Sequence, residues 1–391
     1  MSGPVTPLQR LADTGVLYEP QREYSARVYW IWLAELLGPA HAHAAEVLQQ
    51  YGGARQVYDA RFDPQRFAQT AGKAAAQRLA DEVVSIAECE KLLNRCNQTG
   101  VQVVTYADEE YPDALRGVAD LPPVLYCTGQ LQWLAAPHRV GMVGSRRPSQ
   151  YGAEAAAHLG GALARGGAVI VSGLADGLDS EGHKAAVANN APTVAVMGVS
   201  IDKTYPSTNR RLRGQIEQNG VVVSEYAPGR DIGANGFLQR NRLIAALSQA
   251  LVVVEARKRS GTMSTVEHAR RYGRPVYAVP GSIFSALSEG TNELLRTGAA
   301  KPAVDPQDLL AAVGLDEAAQ KKPRRKATPK PAKPLSANAA AVLARMEAKP
   351  KGLSALLAET ALPMGVVLSA LSELELAGWI STLPGRQYVL K

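Results

Sequence analysis

Three short stretches of this chain carry the residue types that hold an oxyanion. They are "GSRR" at 144–147, "SGLADGLDSEGH" at 172–183 and "ARKRSGTMSTVEHA" at 256–269. Each follows an apolar, strand-like run and opens a helical pattern. Gly, Ser or Thr at a helix start leaves backbone N–H groups free, and the positive helix end adds to their pull on an anion. Glycine lets a ligand approach the main chain, and arginine forks match phosphate oxygens. One such loop is ordinary turn chemistry. Several on the same sheet edge describe a phosphate site, for a nucleotide or for the backbone of a nucleic acid.

The stretch "FLQRNRLIAALSQALVVVEA" (237–256) adds a second kind of chemistry. Leu243, Ile244 and Leu247 give its helix an apolar face. Phe237, Gln239, Arg240, Asn241 and Arg242 form a polar group beside an aromatic ring at the helix start. That mixture can stack a base and hold its phosphate. The plainer alternative is a surface charge pair.

Enzyme signatures are missing. No G-x-G-x-x-G follows the first strand of the alternating region, and the chain has no G-x-x-x-x-G-K-[ST] and no G-x-S-x-G. Nicotinamide, flavin or ATP binding in those modes is not expected. No His/Cys cluster has metal spacing, so neither metal nor cofactor is expected. His183 lacks an identifiable orienting partner and reads as a helix residue with a local hydrogen bond. Asp179 stands where a helix N-cap belongs.

The elements that must position these loops follow from periodicity. Residues 24–99 read as helices, with stop signals at Gly38-Pro39 and Gly52-Gly53 and one long helix over 71–100 closed by Gly100. They form an expected N-terminal helical domain, 1–100, of sterile-alpha-motif or helix-hairpin-helix type, with a structural or partner-docking role. Residues 101–314 give a strand, a turn at Tyr111-Pro112 and a strand after Pro122-Pro123. Six further Val-rich strands follow, with helices beginning near Tyr151, Asp179, Thr208, Phe237 and Thr262. Strands apolar on both faces and alternating with helices predict an α/β fold with an extended, doubly wound Rossmann-like sheet. A Lys/Pro-rich linker spans 315–335. Residues 336–391 give three helices and a hairpin turning at Pro384-Gly385, the order of a winged-helix-like domain. Its third helix has little basic character, which favours a partner or dimer contact over groove reading.

Charge is unevenly placed. The chain of 391 residues carries +7, yet the segment 321–334 holds seven basic residues and no acidic one. Residues 140–300 sum to +6 and residues 1–139 to −4. A basic middle and a basic tether suit a polyanion, although the tether also reads as a solubilising spacer. Apolar runs are strand-sized, far short of the roughly 18 residues of a membrane span. The N-terminus lacks an apolar signal core, and Cys89, Cys96 and Cys127 form no metal-spaced pair. Reduced, buried thiols in a cytoplasmic protein are expected.

Taken in order, the motifs resemble the DprA/Smf DNA-processing family. The matching residues run from Tyr111-Pro112 and "DLPP" at 120–123 through "VGSR" at 143–146, "SGLADGLD" at 172–179 and Tyr205-Pro206. They continue through Ser224-Glu225, "FLQRNR" at 237–242, "VEA" at 254–256, "SGT" at 260–262, Pro280-Gly281 and "GTN" at 290–292. Leu178 and Met263 depart mildly from the pattern. The resemblance implies a protein without known catalysis that binds single-stranded DNA, forms a homodimer and delivers DNA to RecA recombinase during natural transformation. Single-strand-binding protein is a further candidate partner, and no membrane is involved. It implies a phosphate pocket of Ser145, Arg146, Ser172, Gly173, Ser260 and Gly261. Lys184, Lys203, Arg240, Asn241 and Arg242 would extend it, with Phe237 or Tyr205 stacking a base. Two rivals stand beside it. A phosphoribohydrolase of the lysine-decarboxylase-like type would use Glu267, but that glutamate lies five positions past Thr262 rather than three, and the glycine cluster is missing. A ligand-free interaction scaffold would have no need to keep Arg146, Arg240, Arg242, Arg257 and Lys258 near one sheet edge.

Overall fold

Valine-rich segments stack side by side because each is apolar on both faces and needs cover on both. The computed structural model describes residues 23–233, 235–315, 335–346, 351–377, 379–383 and 387–390. The chain divides into two compact units, 1–321 and 322–391.

Among the described residues, the first unit opens with five helices: α1 (Ala26–Leu37), α2 (Ala44–Tyr51), α3 (Ala54–Asp59), α4 (Pro64–Ala80) and α5 (Ile86–Thr99). The single helix expected over 71–100 is two. Residues 81–85 break it, with Glu82 at φ 47° and Ser85 accepting from the Glu88 amide as the N-cap of α5. The break has a use, since the Val84 carbonyl accepts from Trp32 Nε1 at 3.2 Å. Arg78 of α4 satisfies the last carbonyls of α1, donating to Glu35 O and Leu36 O at 2.8 and 3.0 Å. Gly100 closes α5 in the left-handed region, as expected. Cys89, Cys96 and Cys127 are free and buried. Burial pushes the Cys89 thiol up to about 12 and the Cys96 thiol up to about 11, so both are protonated and unreactive.

A nine-stranded sheet follows: β1 (Gln102–Thr105), β2 (Val124–Gly129), β3 (Arg139–Val143), β4 (Val169–Ser172), β5 (Thr193–Met197), β6 (Val221–Ser224), β7 (Ala250–Val253), β8 (Val276–Ala278) and β9 (Lys301–Pro302). The spatial order is β1-β2-β6-β5-β4-β3-β7-β8-β9. β3 to β9 run parallel, and β1 and β2 are added antiparallel. This is the expected doubly wound α/β sheet. The short β9 was not legible, because two exposed residues, one of them proline, carry no alternating pattern. Helices α6 (Asp113–Arg116), α7 (Gln150–Gly166), α8 (Leu178–Ala188), α9 (Arg210–Asn219), α10 (Asn235–Leu247), α11 (Thr262–Arg271), α12 (Glu289–Arg296) and α13 (Pro306–Ala312) complete the unit. One continuous apolar core joins α1–α5 to the sheet, running from Val28 through Tyr126 and Val223 to Leu294.

The second unit contains α14 (Ala337–Leu343), β10 (Lys351–Gly352), α15 (Leu353–Thr360), α16 (Met364–Leu376), β11 (Ile380–Leu383) and β12 (Gln387–Leu390). Its small sheet is ordered β10-β12-β11, with Ile380 opposite Leu390. The expected turn at Pro384-Gly385, and residues 316–334 of the linker, lie outside the described residues.

Candidate functional site

The strand order reverses direction of growth between β3 and β7. In an open α/β sheet a ligand crevice opens at such a switch point, beyond the carboxyl ends of the strands. A cleft of about 330 Å³ lies there, lined among others by Gly144, Ser145 and Arg146 after β3, Asp179 on α8, Phe237 and Arg240 on α10, and Ser260 to Thr262 at the start of α11.

Glycines let the loops meet. Gly177 has φ 77°, and a Cβ there would lie 2.3 Å from the Ser145 carbonyl oxygen. That oxygen accepts from the Leu178 amide at 3.1 Å, which ties the β4 loop to the β3 loop. Gly173 lies under the Arg240 guanidinium, with its own amide donating to Asp179 Oδ2 at 3.1 Å. Asp179 is therefore not the cap of α8. Gly177 holds that position without a side-chain bond, and the carboxylate turns back to the β4 loop. From β7, Glu255 accepts from the Ser149 amide at 3.0 Å and from its hydroxyl, fixing the entry to α7. Thr262 Oγ1 donates to Gly144 O at 3.1 Å, closing the third side.

The cleft is short of negative charge. Arg240 is 3% exposed; its Nη1 donates to Val196 O at 2.6 Å, while its Nε has no partner among the described residues. Burial lowers its pKa, Asp179 opposes that, and Arg146 adds to it. An incoming anion would supply the missing counter-charge. Arg146 is exposed, with its guanidinium carbon 5.4 Å from the centre of the Phe237 ring. The Phe237 ring in turn lies 5.0 Å from that of Tyr205. The Ser260 hydroxyl is buried without a partner, and the amides of Gly261 and Thr262 make no hydrogen bond among the described residues. Asn241 braces this helix start, donating to Gly261 O at 3.1 Å and Ser264 Oγ at 2.9 Å.

The structure thus brings Ser145, Arg146, Phe237, Arg240, Asn241, Ser260 and Gly261 to one cleft, with Tyr205 against Phe237. Other candidate residues fall elsewhere. Ser172 is fully buried and donates to Met142 O at 2.6 Å, and Gly173 contributes only its backbone beneath Arg240. Lys184 is exposed on α8 and paired with Glu181 at 2.8 Å; Lys203 stands 4.0 Å from Asp231. Arg242 is 1% exposed and bound to Glu225 at 2.5 Å, outside the cleft lining. Two residues on one helix turn separate the arginines onto different sides. Arg257 also lines the cleft, whereas Glu267 is exposed and absent from its wall.

His183 is fully buried, with Nδ1 2.8 Å from Thr193 Oγ1. Burial, reinforced by Arg240, lowers its pKa to about 3, below the ordinary 6.5. Unfolding then binds a proton wherever pH lies below 6.5, so this contribution is complete above that pH and is lost as pH falls towards 3. Stability is expected to drop by about 2 kcal/mol from this group between pH 7 and pH 5. Urea unfolding of wild type and His183→Gln at both pH values measures it; equal pH slopes in the two proteins would refute it.

The family model for DNA recombination-mediator protein A matches residues 102–314, and that for the DprA winged helix domain matches residues 326–386. The chain is 31% identical to Protein Smf of Synechocystis over 76% of this chain and 82% of that protein. A DNA processing protein A structure from Streptococcus pneumoniae aligns with TM-score 0.62 at 32% identity, covering 74% of this chain and 98% of that one. A Helicobacter pylori DNA processing protein A structure, described by its single-stranded DNA binding mode, aligns with TM-score 0.50 at 34% identity over 54% and 95%.

Proposed function

The chain belongs to the DNA recombination-mediator protein A (DprA/Smf) family of DNA-processing proteins, and from that premise we propose that it binds single-stranded DNA through the switch-point cleft. The carrying observation is the positively charged cleft wall: the exposed Arg146 and the buried Arg240 converge with the free amides of Gly261 and Thr262 beside the Phe237–Tyr205 ring pair. Phosphates meet the cations and amides, and bases meet the rings. Single strands suit this arrangement because their bases are free to stack. The Ser145, Arg146, Arg240, Ser260 and Gly261 set is the proposed phosphate grip, with Asn241 as its brace.

The same proposal includes a non-catalytic role in the cytoplasm, delivery of the bound strand to RecA recombinase, and action as a homodimer. In the proposed organisation, residues 101–314 form the DNA-binding domain, 1–100 a helical domain with a structural or partner-docking role, and 315–335 the linker to 336–391. The position of Glu267 outside the cleft speaks against the phosphoribohydrolase alternative. Three convergent cations speak against a ligand-free scaffold.

Binding of the full chain to a labelled single-stranded oligonucleotide over a salt series tests this. Affinity should fall with salt, and Arg146→Ala should make the slope shallower by about 0.7 for each phosphate that the arginine neutralises. An excess of matching duplex should compete poorly. Absence of binding at low salt, or an unchanged slope in Arg146→Ala, would refute the proposal.

A further inference from the structure

The loop between β8 and α12 presents two large apolar side chains to water. Ile283 is 83% exposed and Phe284 93% exposed. The loop is firmly built. Gly281 and Asn292 exchange hydrogen bonds of 3.1 and 3.0 Å, Tyr151 donates to Pro280 O at 2.7 Å, and the amides of Ser285 and Ser288 turn back to Ser282 O and Ser285 O. A braced loop that holds a phenylalanine in solvent is poised for a ligand.

Its position identifies the ligand. The loop follows β8, the neighbour of β7, on the same edge as the cleft. The start of α12 docks on the cleft wall, where the Gly290 amide donates to Ala256 O at 2.8 Å. Arg257 on the cleft wall is followed in the chain by Lys258 and Arg259; all three are exposed, and neither arginine forms an ion pair among the described residues. A solvent-exposed aromatic ring on the same sheet edge as a cation-lined phosphate cleft suits a polyanion with flat faces.

We infer that Phe284, supported by Ile283, is a second base-stacking platform for the strand whose phosphates occupy the cleft, an inference that rests on the single-strand binding proposed above. Phe237 and Tyr205 flank the cleft towards β5, and Phe284 flanks it towards β8. Four strand spacings separate those positions, about 19 Å along the edge, a span of a few nucleotides. The strand then runs across the sheet edge, anchored by phosphates at the centre and by bases on both sides.

The test uses the full chain, a labelled oligothymidylate and an oligonucleotide of the same length made of abasic sites. Phe284→Ala should weaken oligothymidylate binding about 5- to 100-fold, leave abasic binding unchanged, and keep the salt slope. Phe284→Trp should restore affinity. Equal oligothymidylate binding by wild type and Phe284→Ala would overturn the inference, as would an equal loss on both oligonucleotides. Conversion to a smaller species in sedimentation with unchanged affinity would mark the loop as a protein interface and also overturn it. If wild type binds neither oligonucleotide, the cleft proposal itself falls, which separates the two failures.

Discussion

Arg242→Ala is expected to destabilise the first unit by about 3–5 kcal/mol while leaving DNA affinity nearly intact in the fraction that folds. Arg242 is the largest fully buried side chain in the protein's described residues. Its Nη2 donates to Glu225 at 2.5 Å, and its Nε stands 3.8 Å from Asp120. Burial alone would lower its pKa; Glu225 and Asp120 outweigh that and raise it, so the group stays charged. Glu225 also accepts from the Ala40 amide at 3.2 Å, and Asp120 accepts from the Tyr272 hydroxyl at 3.1 Å. The ion pair thus links α10, β6 and the turn after α1. Removing the arginine leaves two carboxylates facing each other in the interior without a cation. Thermal unfolding should show the loss as roughly 5–8 °C in Tm for a unit of this size, and urea unfolding as a matching fall in midpoint. Arg242→Met with Glu225→Gln should recover part of it, because no uncompensated charge remains. A normal Tm with lost DNA affinity would return Arg242 to the phosphate grip.

This pair shows where sequence reasoning reached and where it stopped. The strands from β3 to β8 were legible because parallel strands buried on both faces read as unbroken Val/Ile runs. The switch-point loops were legible because phosphate loops use a narrow set of residues. Helix periodicity puts Arg240 in line with Leu243, Ile244 and Leu247 and turns Arg242 off that face, but it cannot say that the side carrying Arg242 is also buried. α10 is covered on both sides, so Arg240 and Arg242 are both interior, one turned to the cleft and one to Glu225. Its carboxylate partner Glu225 lies 17 residues away, just past the end of β6, and local pattern carries no trace of it. Asp179 misled for the same reason. Its place at the start of a helical pattern suits a cap, and only the folded β4 loop shows that its carboxylate serves the Gly173 amide. The break at 81–85 hid behind good helix formers on both sides, with Ser85 as its one local signal.

Gly173→Ala should disable the cleft without replacing any residue of the proposed phosphate grip. A Cβ at position 173 would sit 1.6 Å from Arg240 Nη1 and 2.2 Å from its Cζ. The guanidinium cannot slide aside cheaply, since it is buried and held by Val196 O. It must leave its seat, and Asp179 then loses the charge that offsets its burial. Affinity for single-stranded DNA should fall about 10- to 100-fold, the scale of one charge-assisted hydrogen bond. Arg240→Met should match it, and the double variant should be no worse than the more damaging single, since both remove the same cation. Gly261→Ala supplies the contrast. A Cβ there meets only Leu238 Cδ2 at 3.8 Å, and the backbone at φ −59° accepts any residue. Its Tm should stay within about 1 °C of wild type, yet affinity should drop wherever a phosphate rests on the Gly261 and Thr262 amides. Additive losses for Gly173→Ala and Arg240→Met would mean that the glycine acts through something other than the arginine. Full affinity in Gly261→Ala would move the phosphate away from α11 and leave Arg146 and Arg240 as the grip.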